Sequence, residues 1–243
     1  MTFALRSALP SLGGGKRHCG FDAVTVDLQH APFGFDQAVD LLQATSSTPA
    51  VPLARCAAST LADVNKLLDA GAYGIIGPLI DSVDDSAYFA RCCRYPPRGI
   101  RSFGPARGLL YGGADYLARA DDEILSLAMI ETINALEQIE SIMDVEEIDG
   151  VYVGPSDLGL AMGIGPNSWP DERMKQAVAH ILKAVHARGK YAGIYCGGVE
   201  MGEDCTRMGY DLVTPGNDVQ LLRAGAEARI KGVRAAQRTA PTA

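Results

Sequence analysis

The stretch GVYVGPSDL at residues 150–158 shows the pattern that decides the fold. A short apolar run with β-branched residues ends in a glycine-proline turn, and the acid Asp157 follows. Similar runs recur along the chain, each after a polar amphipathic segment and a glycine-containing turn. They are mostly apolar throughout, which is typical of parallel strands covered on both faces. The other strand candidates are AVTVDL (23–28), AVPLARC (50–56), YGIIGPLI (73–80), LAMIET (127–132), YAGIYC (191–196) and DLVTPG (211–216).

Helical patterns lie between these runs. TLADVNKLLDAG (60–71) and DERMKQAVAHILKAVHARG (171–189) each place apolar side chains on one side and end at a glycine, where a helix C-cap belongs. SVDDSAYFARC (82–92) starts with a serine and has an aspartate three residues later, an acidic variant of the capping box. Two glycine- and proline-rich stretches, 96–113 and 163–170, are predicted to be irregular loops.

Alternating strands and helices predict a right-handed parallel α/β architecture in one domain spanning residues 1–243. Seven strands are evident, and an eighth would close a (β/α)8 TIM barrel. The best candidate for it is FALRSALPSL (3–12), in an N-terminal region that looks shortened. An open doubly wound sheet is the alternative, although no GxGxxG turn follows the first clear strand.

Composition and charge exclude several classes of protein. The 243 residues carry a net charge of −7 without a basic cluster, which argues against nucleic acid or an anionic membrane as a partner. The apolar stretches are too short to cross a bilayer, and the N-terminus lacks the pattern of a secretory signal. The six cysteines form no CxxC pair. They are predicted to be reduced thiols in a cytoplasmic protein.

Polar residues stand at the carboxyl ends of four predicted strands. They are Asp27 with His30, Arg55, Glu131 and Asp157. In a β/α barrel the active site forms on the face where the strands end, so these side chains are expected to meet at one mouth.

Glu131 and Asp157 follow adjacent predicted strands and together suit a hard divalent cation, with magnesium or manganese favoured by an oxygen-only ligand set. The alternative is that each acid is an exposed strand-end residue or a helix N-cap. The turn GPSDLG (154–159) exposes backbone N–H groups that can hold a carboxylate, although a simple strand-to-loop turn has the same sequence.

Arg55 at the end of an uncharged strand suits a substrate carboxylate or an enolate oxygen. The alternative is a buried ion pair with Asp27 or Asp69. His30 suits a general base because an imidazole titrates near neutrality; the alternative is a structural histidine at the start of a loop.

Six segments resemble, in order and spacing, the HpcH/HpaI aldolases, which are metal-dependent class II pyruvate aldolases. The segments are VDLQHAPF (26–33), LARC (53–56), NKLLDAG (65–71), YPPRGIRSFGPAR (95–107), MIET (129–132) and GVYVGPSDLG (150–159). The resemblance covers nearly the whole chain from about residue 20. It implies a (β/α)8 barrel in a homo-oligomer, a trimer or a hexamer with swapped C-terminal helices. The implied reaction is reversible aldol addition of pyruvate, or a close 2-oxo acid such as hydroxypyruvate, to an aldehyde.

The resemblance also implies roles for individual residues. Glu131 and Asp157 bind Mg²⁺, Mn²⁺ or Co²⁺, and Arg55 contacts the 2-oxo oxygen. His30 transfers a proton, paired with Asp69 as a dyad, and Asp27 supports the site. The backbone of Gly154, Pro155, Ser156 and Asp157 receives the pyruvate carboxylate. Asp69 stands at the end of a helix, at the face of the barrel opposite to the site. The Asp69 that pairs with His30 is therefore expected to come from a neighbouring subunit.

Two departures from the family pattern stand out. Met129 occupies a position where family members often have glutamine, and the segment before residue 20 is short and lacks a tryptophan often found there. An acyl-CoA lyase of the citrate/malyl-CoA type and a non-catalytic 2-oxo-acid-binding barrel are the alternative functions. No lysine stands at a predicted strand end, which argues against a Schiff-base aldolase.

Overall fold

The computed structural model describes residues 1–5 and 20–238. Within them, eight strands form one parallel sheet in sequence order. The strands are β1 (Thr2–Leu5), β2 (Ala23–Asp27), β3 (Val51–Arg55), β4 (Gly74–Gly77), β5 (Leu125–Ile130), β6 (Gly150–Val153), β7 (Tyr191–Tyr195) and β8 (Leu212–Thr214).

Helices follow most strands and cover the outer face of the sheet. They are α1 (Phe35–Ser46), α2 (Leu61–Asp69), α3 (Val83–Cys93), α4 (Ala106–Gly112), α5 (Tyr116–Glu123), α6 (Ile133–Glu137), α7 (Ile139–Met143), α8 (Pro155–Ala161), α9 (Glu172–His186), α10 (Val199–Met208) and α11 (Asp218–Arg238). In the described part of the chain, no helix is both long enough and apolar enough to span a bilayer.

The parallel α/β prediction is confirmed, and the sheet curls so that its first and last strands approach each other. Ala4 in β1 forms a parallel bridge with Asn217, just after β8. The N-terminal strand prediction holds for Thr2–Leu5, and residues 6–12 of that candidate lie outside the described residues.

The sheet has two apolar faces because successive side chains of a strand point to opposite sides. One face packs against the helices in the main core, to which Ala128, Ile130, Val151 and Val153 belong. The other face forms a small separate cluster, Ile76, Leu127, Met129 and Tyr152. This arrangement explains why the strands are apolar throughout rather than alternating.

Ser82 is the N-cap of α3 as predicted, but the Asp85 carboxylate bonds to the Ser82 hydroxyl rather than to the Ser82 backbone N–H that a capping box uses. The Ser82 hydroxyl accepts from the Asp85 N–H at 3.1 Å and donates to the Asp85 carboxylate at 2.7 Å. The prediction of an irregular loop over 96–113 is wrong in its second half, where Ala106–Gly112 form about two helical turns. Its two buried glycines pack against Tyr116. This tertiary contact compensates for the weak helix propensity of glycine.

Candidate active site

A cavity of about 660 Å³ opens where the strands end. The strand-end position is the expected one for a ligand site on a parallel α/β sheet. Six of the predicted site residues line it: His30, Arg55, Gly154, Pro155, Ser156 and Asp157.

Strand alternation explains how the charged residues reach the inner face. Leu127 and Met129 point inward, so Glu131, two residues further on, continues along the same side. Asp27 and Arg55 are register partners on β2 and β3, which places their side chains next to each other. Glu131, Asp27 and Arg55 are all buried.

Arg55 and Asp27 form a bidentate ion pair. The Arg55 Nε and Nη2 atoms donate to the two Asp27 carboxylate oxygens at 2.8 and 2.5 Å. Burial alone would lower the pKa of Arg55, but the hydrogen bonds and charge of Asp27 outweigh burial and raise it. The ion-pair alternative is therefore what the structure shows for these two groups. It leaves Nη1 directed to Met129, 3.8 Å from its sulfur, and Arg55 still lines the cavity.

Asp27 also shapes the loop that carries His30. One of its carboxylate oxygens accepts from the backbone N–H of Gln29 at 3.1 Å and of His30 at 3.4 Å. His30 consequently sits exposed at the cavity wall. The three-residue spacing of Asp27 and His30 thus has a local cause, since the acid closes the turn that presents the imidazole.

Glu131 has one satisfied and one unsatisfied carboxylate oxygen. Its Oε1 accepts from the Leu79 N–H at 2.8 Å, while Oε2 is buried without a hydrogen-bond partner among the described residues. Burial raises the pKa of Glu131, the Leu79 N–H opposes that rise, and the negative charge of Asp157 adds to it. The Glu131 carboxyl group thus has a raised pKa and an unsatisfied oxygen, and it lies beside a second acid. A bound cation would stabilise the two negative charges.

Leu79 adopts a backbone conformation that is costly for leucine. Its φ is 54°, in the left-handed region, and its side chain is 63% exposed. Such strain persists only where the surroundings fix it and is concentrated at functional sites. Here the conformation directs the Leu79 N–H to Glu131, so it orients that carboxylate.

The turn after β6 brings the second acid to the site. β6 ends at Val153, Pro155 is the first residue of α8, and Asp157 lies exposed in its first turn. Gly154 packs directly over Glu131: a Cβ there would stand 2.8 Å from Glu131 Oε2 and 2.6 Å from Met129 Cε. Only glycine permits this close approach of the two strand ends.

The donor set fits a hard divalent cation. Glu131 Oε2 and the Asp157 carboxylate supply oxygen ligands, and water or substrate completes the coordination of ions such as Mg²⁺. Over residues 1–5 and 20–238, no group of three or more His, Cys, Asp or Glu side chains forms a complete protein-only site.

Asp69 lies away from this cavity within the chain. It ends α2, which runs back toward the edge where the strands begin, and its carboxylate accepts from the buried Arg101 at 3.1 Å. The structure thus brings together all the predicted site residues except Asp69.

Several cavity residues escaped the sequence analysis. Tyr195 at the end of β7 lines the wall, and its hydroxyl donates to Gln220 and accepts from Asn217. Glu200 and Trp169 also line it. Applying the strand-end criterion to YAGIYC (191–196) would have identified Tyr195, and the Gly-Gly pair at 197–198 marks the helix start that carries Glu200.

Comparisons with known proteins show the family of the chain. The HpcH/HpaI aldolase/citrate lyase family matches residues 3–224. A hydroxypyruvate/pyruvate aldolase of Rhizorhabdus wittichii is 41% identical over 216 residues, which are 88% of this chain and 86% of the relative. A 4-hydroxy-2-oxo-heptane-1,7-dioate aldolase of Salmonella dublin is 34% identical over 86% of this chain and 80% of its own length.

A solved structure shows the same fold. The crystal structure of an HpcH/HpaI aldolase/citrate lyase family protein from Burkholderia cenocepacia superposes with a TM-score of 0.88 at 27% identity, covering 96% of this chain and 93% of that one. With the family match over most of the sequence, the predicted resemblance is confirmed: the chain belongs to the HpcH/HpaI aldolase/citrate lyase family.

Proposed function

We propose that the chain is a divalent-metal-dependent aldolase that adds pyruvate, or a close 2-oxo acid such as hydroxypyruvate, reversibly to an aldehyde. A pyruvate-type aldolase, a carbon–carbon lyase, is the activity that the family and the named relatives support. The observation that carries the metal-dependent mechanism is the buried Oε2 of Glu131, to which no described residue donates a hydrogen bond, with the Asp157 carboxyl and the Arg55 guanidinium beside Glu131.

Glu131 and Asp157 would hold the cation, which we propose to be Mg²⁺ or Mn²⁺, with Co²⁺ as a further candidate. When bound, it supplies Lewis-acid stabilisation of negative charge on the 2-oxo acid. Divalent-metal dependence is the norm of the family.

Arg55 provides a fixed positive charge for the enolate oxygen. Asp27 holds its guanidinium in one orientation through two hydrogen bonds, so little reorganisation is needed as charge develops. Nη1 is the donor that Asp27 does not engage, and its neighbour is the weakly accepting thioether of Met129. A substrate oxygen is a better acceptor and would displace that contact.

The turn after β6 would receive the substrate carboxylate, with unequal contributions from its residues. The Gly154 N–H already donates to the Ile130 carbonyl at 3.1 Å, and Pro155 has no N–H. The N–H groups of Ser156 and Asp157 are therefore the proposed carboxylate donors, while Gly154 and Pro155 give the turn its shape.

His30 is the proposed base for the aldol hydroxyl proton. His30 is exposed and lines the cavity wall, where it can reach a bound substrate. Because Asp69 pairs with Arg101 within the chain, the proposed dyad would use the partner subunit's Asp69. This makes an oligomer, a trimer or a hexamer with exchanged C-terminal helices, part of the proposal.

The architectural proposal is that the eight strands close into a (β/α)8 barrel in a single domain. The Ala4–Asn217 bridge supports closure between β1 and β8. The five cysteines in the described residues are free and buried, which agrees with a cytoplasmic location.

A coupled assay for pyruvate release tests the proposed function. The protein loaded with Mn²⁺ or Mg²⁺ should release pyruvate from a 4-hydroxy-2-oxo acid, and EDTA should abolish the release until the metal is restored. Full activity in the presence of chelator would contradict the proposed metal dependence. Cleavage of a malyl-CoA-type thioester without pyruvate release would indicate the acyl-CoA lyase, and binding of the 2-oxo acid without turnover would indicate a non-catalytic barrel.

A further inference from the structure

The cavity is larger than a three-carbon acid requires, and its remaining wall has a distinct composition. Beyond the metal and Arg55 region it is lined by the loop that contains Trp169 and by the turn that leads into α10. The first part offers apolar surface from Pro166, Trp169 and Pro170. The second contributes Gly197, Gly198 and the carboxylate of Glu200. An aldehyde held next to the enolate would lie against this wall.

Within the described part of the chain, the cavity lining offers no arginine or lysine beyond Arg55 for a second carboxylate. Arg55 is the only arginine or lysine among the described residues that line it, and Asp27 already neutralises it. A divalent cation would be balanced by Glu131 and Asp157. The carboxylate of the bound 2-oxo acid then adds a negative charge, and His30 is the one remaining lining side chain of the described residues that can carry a positive charge.

Glu200 increases this negative potential at the acceptor side. It lies in the first turn of α10 and is exposed on the cavity wall. Among the described residues no arginine, lysine or histidine forms an ion pair with it, unlike Glu203 on the same helix, which pairs with Arg207. Within a cleft, an unpaired charge acts on an incoming ligand through a medium that screens less than bulk water.

We propose that Glu200 is a specificity-determining residue that excludes acceptor aldehydes carrying a distal carboxylate, so that the enzyme takes uncharged aldehydes. This inference rests on the proposed aldolase function and adds the class of its second substrate. The aliphatic part of the acceptor packs against Trp169 and the prolines, and Glu200 repels a carboxylate at its far end.

The test compares two acceptors of equal chain length, butanal and succinic semialdehyde, in condensation with pyruvate by the metal-loaded enzyme. The wild type should favour butanal in kcat/KM. Glu200→Gln should raise kcat/KM for succinic semialdehyde by about threefold to tenfold, the range expected for one partly screened charge, and leave butanal within about twofold. Glu200→Lys should raise it further, and the gain should shrink at high salt. The matched control, Glu203→Gln, should change neither acceptor.

The outcomes separate the two levels of the proposal. If butanal condenses but the ratio of the two acceptors is the same in wild type, Glu200→Gln and Glu200→Lys, the selectivity role of Glu200 is overturned while the aldolase function stands. A wild-type preference for succinic semialdehyde over butanal would also overturn the selectivity role of Glu200. If the loaded wild type consumes neither aldehyde with pyruvate, the proposed function fails, and the acceptor selectivity fails with it.

Discussion

Replacing Arg55 with lysine is expected to lower kcat/KM for retro-aldol cleavage by about 100- to 1000-fold, the range seen when a preorganised oxyanion donor is removed. Lysine keeps the positive charge but has no planar fork. It cannot bind both oxygens of Asp27 and direct a third donor into the cavity, as Arg55 does through Nε, Nη2 and Nη1. The substrate oxygen would then lose its oriented donor.

The lysine variant is preferable to alanine because it does not leave Asp27 as an unpaired buried acid. Breaking a buried ion pair by removing one partner costs about 3–5 kcal/mol, which would confuse lost folding with lost catalysis. Arg98→Lys is the matched control, since Arg98 is half-exposed and pairs with Glu147 and Asp122 outside the cavity. Kinetics and thermal melts should be measured on both variants. Turnover of Arg55→Lys within about threefold of wild type would contradict the enolate role.

Glu131→Gln is expected to abolish metal binding and turnover while sparing the fold. Glutamine has the same shape and can still accept from the Leu79 N–H, but its neutral amide oxygen is a weaker ligand for a hard divalent cation than a carboxylate is. Loss of supporting partners alone costs metal sites about 10- to 100-fold in affinity, so loss of a ligand should exceed about 100-fold. Mn²⁺ affinity by calorimetry or electron paramagnetic resonance measures this without reference to activity.

The same variant should be no less stable than the metal-free wild type at neutral pH. The folded-state pKa of Glu131 is raised, chiefly by burial, so the folded protein holds this proton more tightly than the unfolded chain does. That contribution stabilises the fold at low pH and is lost as the pH rises through the unfolded and then the folded pKa. Glutamine stays neutral throughout. Glu140→Gln, at an exposed position of α7, is the control. Tight Mn²⁺ binding by Glu131→Gln would remove Glu131 from the ligand set.

The strands could be predicted from the sequence because each is a compact apolar run with clear boundaries. YGIIGPLI (73–80) shows the limit of that criterion. The strand stops at Gly77, since Pro78 cannot donate to the sheet and Leu79 turns into the left-handed region. No pattern in the sequence marks a leucine for that conformation, and so the hydrogen bond that orients Glu131 was not foreseen.

The strand-end criterion selected residues that the structure places around one cavity, whereas contacts that depend on tertiary pairing could not be predicted from the sequence. Arg55 and Asp27 were identified individually, but the choice between a substrate-binding arginine and an ion pair depended on the register of β2 and β3. The structure shows the ion pair, in which Asp27 engages Nε and Nη2 of Arg55 and leaves Nη1 outside the pair, and the substrate-binding role of Arg55 stays a prediction. The proposed pairing of His30 with Asp69 is between two subunits, and the sequence of one chain does not specify how two subunits are arranged.

Exchange of the C3 protons of pyruvate with deuterium is the most direct test of the central claim, that this site forms an enolate with a bound divalent cation. Proton NMR in D₂O follows the loss of the methyl signal without any aldehyde present, so acceptor preference has no influence. The account predicts exchange with the Mn²⁺- or Mg²⁺-loaded wild type. In the Mn²⁺ samples the paramagnetic ion is removed before detection, because it broadens the methyl signal. The account predicts exchange at the protein-free rate in EDTA and for Glu131→Gln. Equal exchange with and without chelator, or exchange by Glu131→Gln at the wild-type rate, would contradict it.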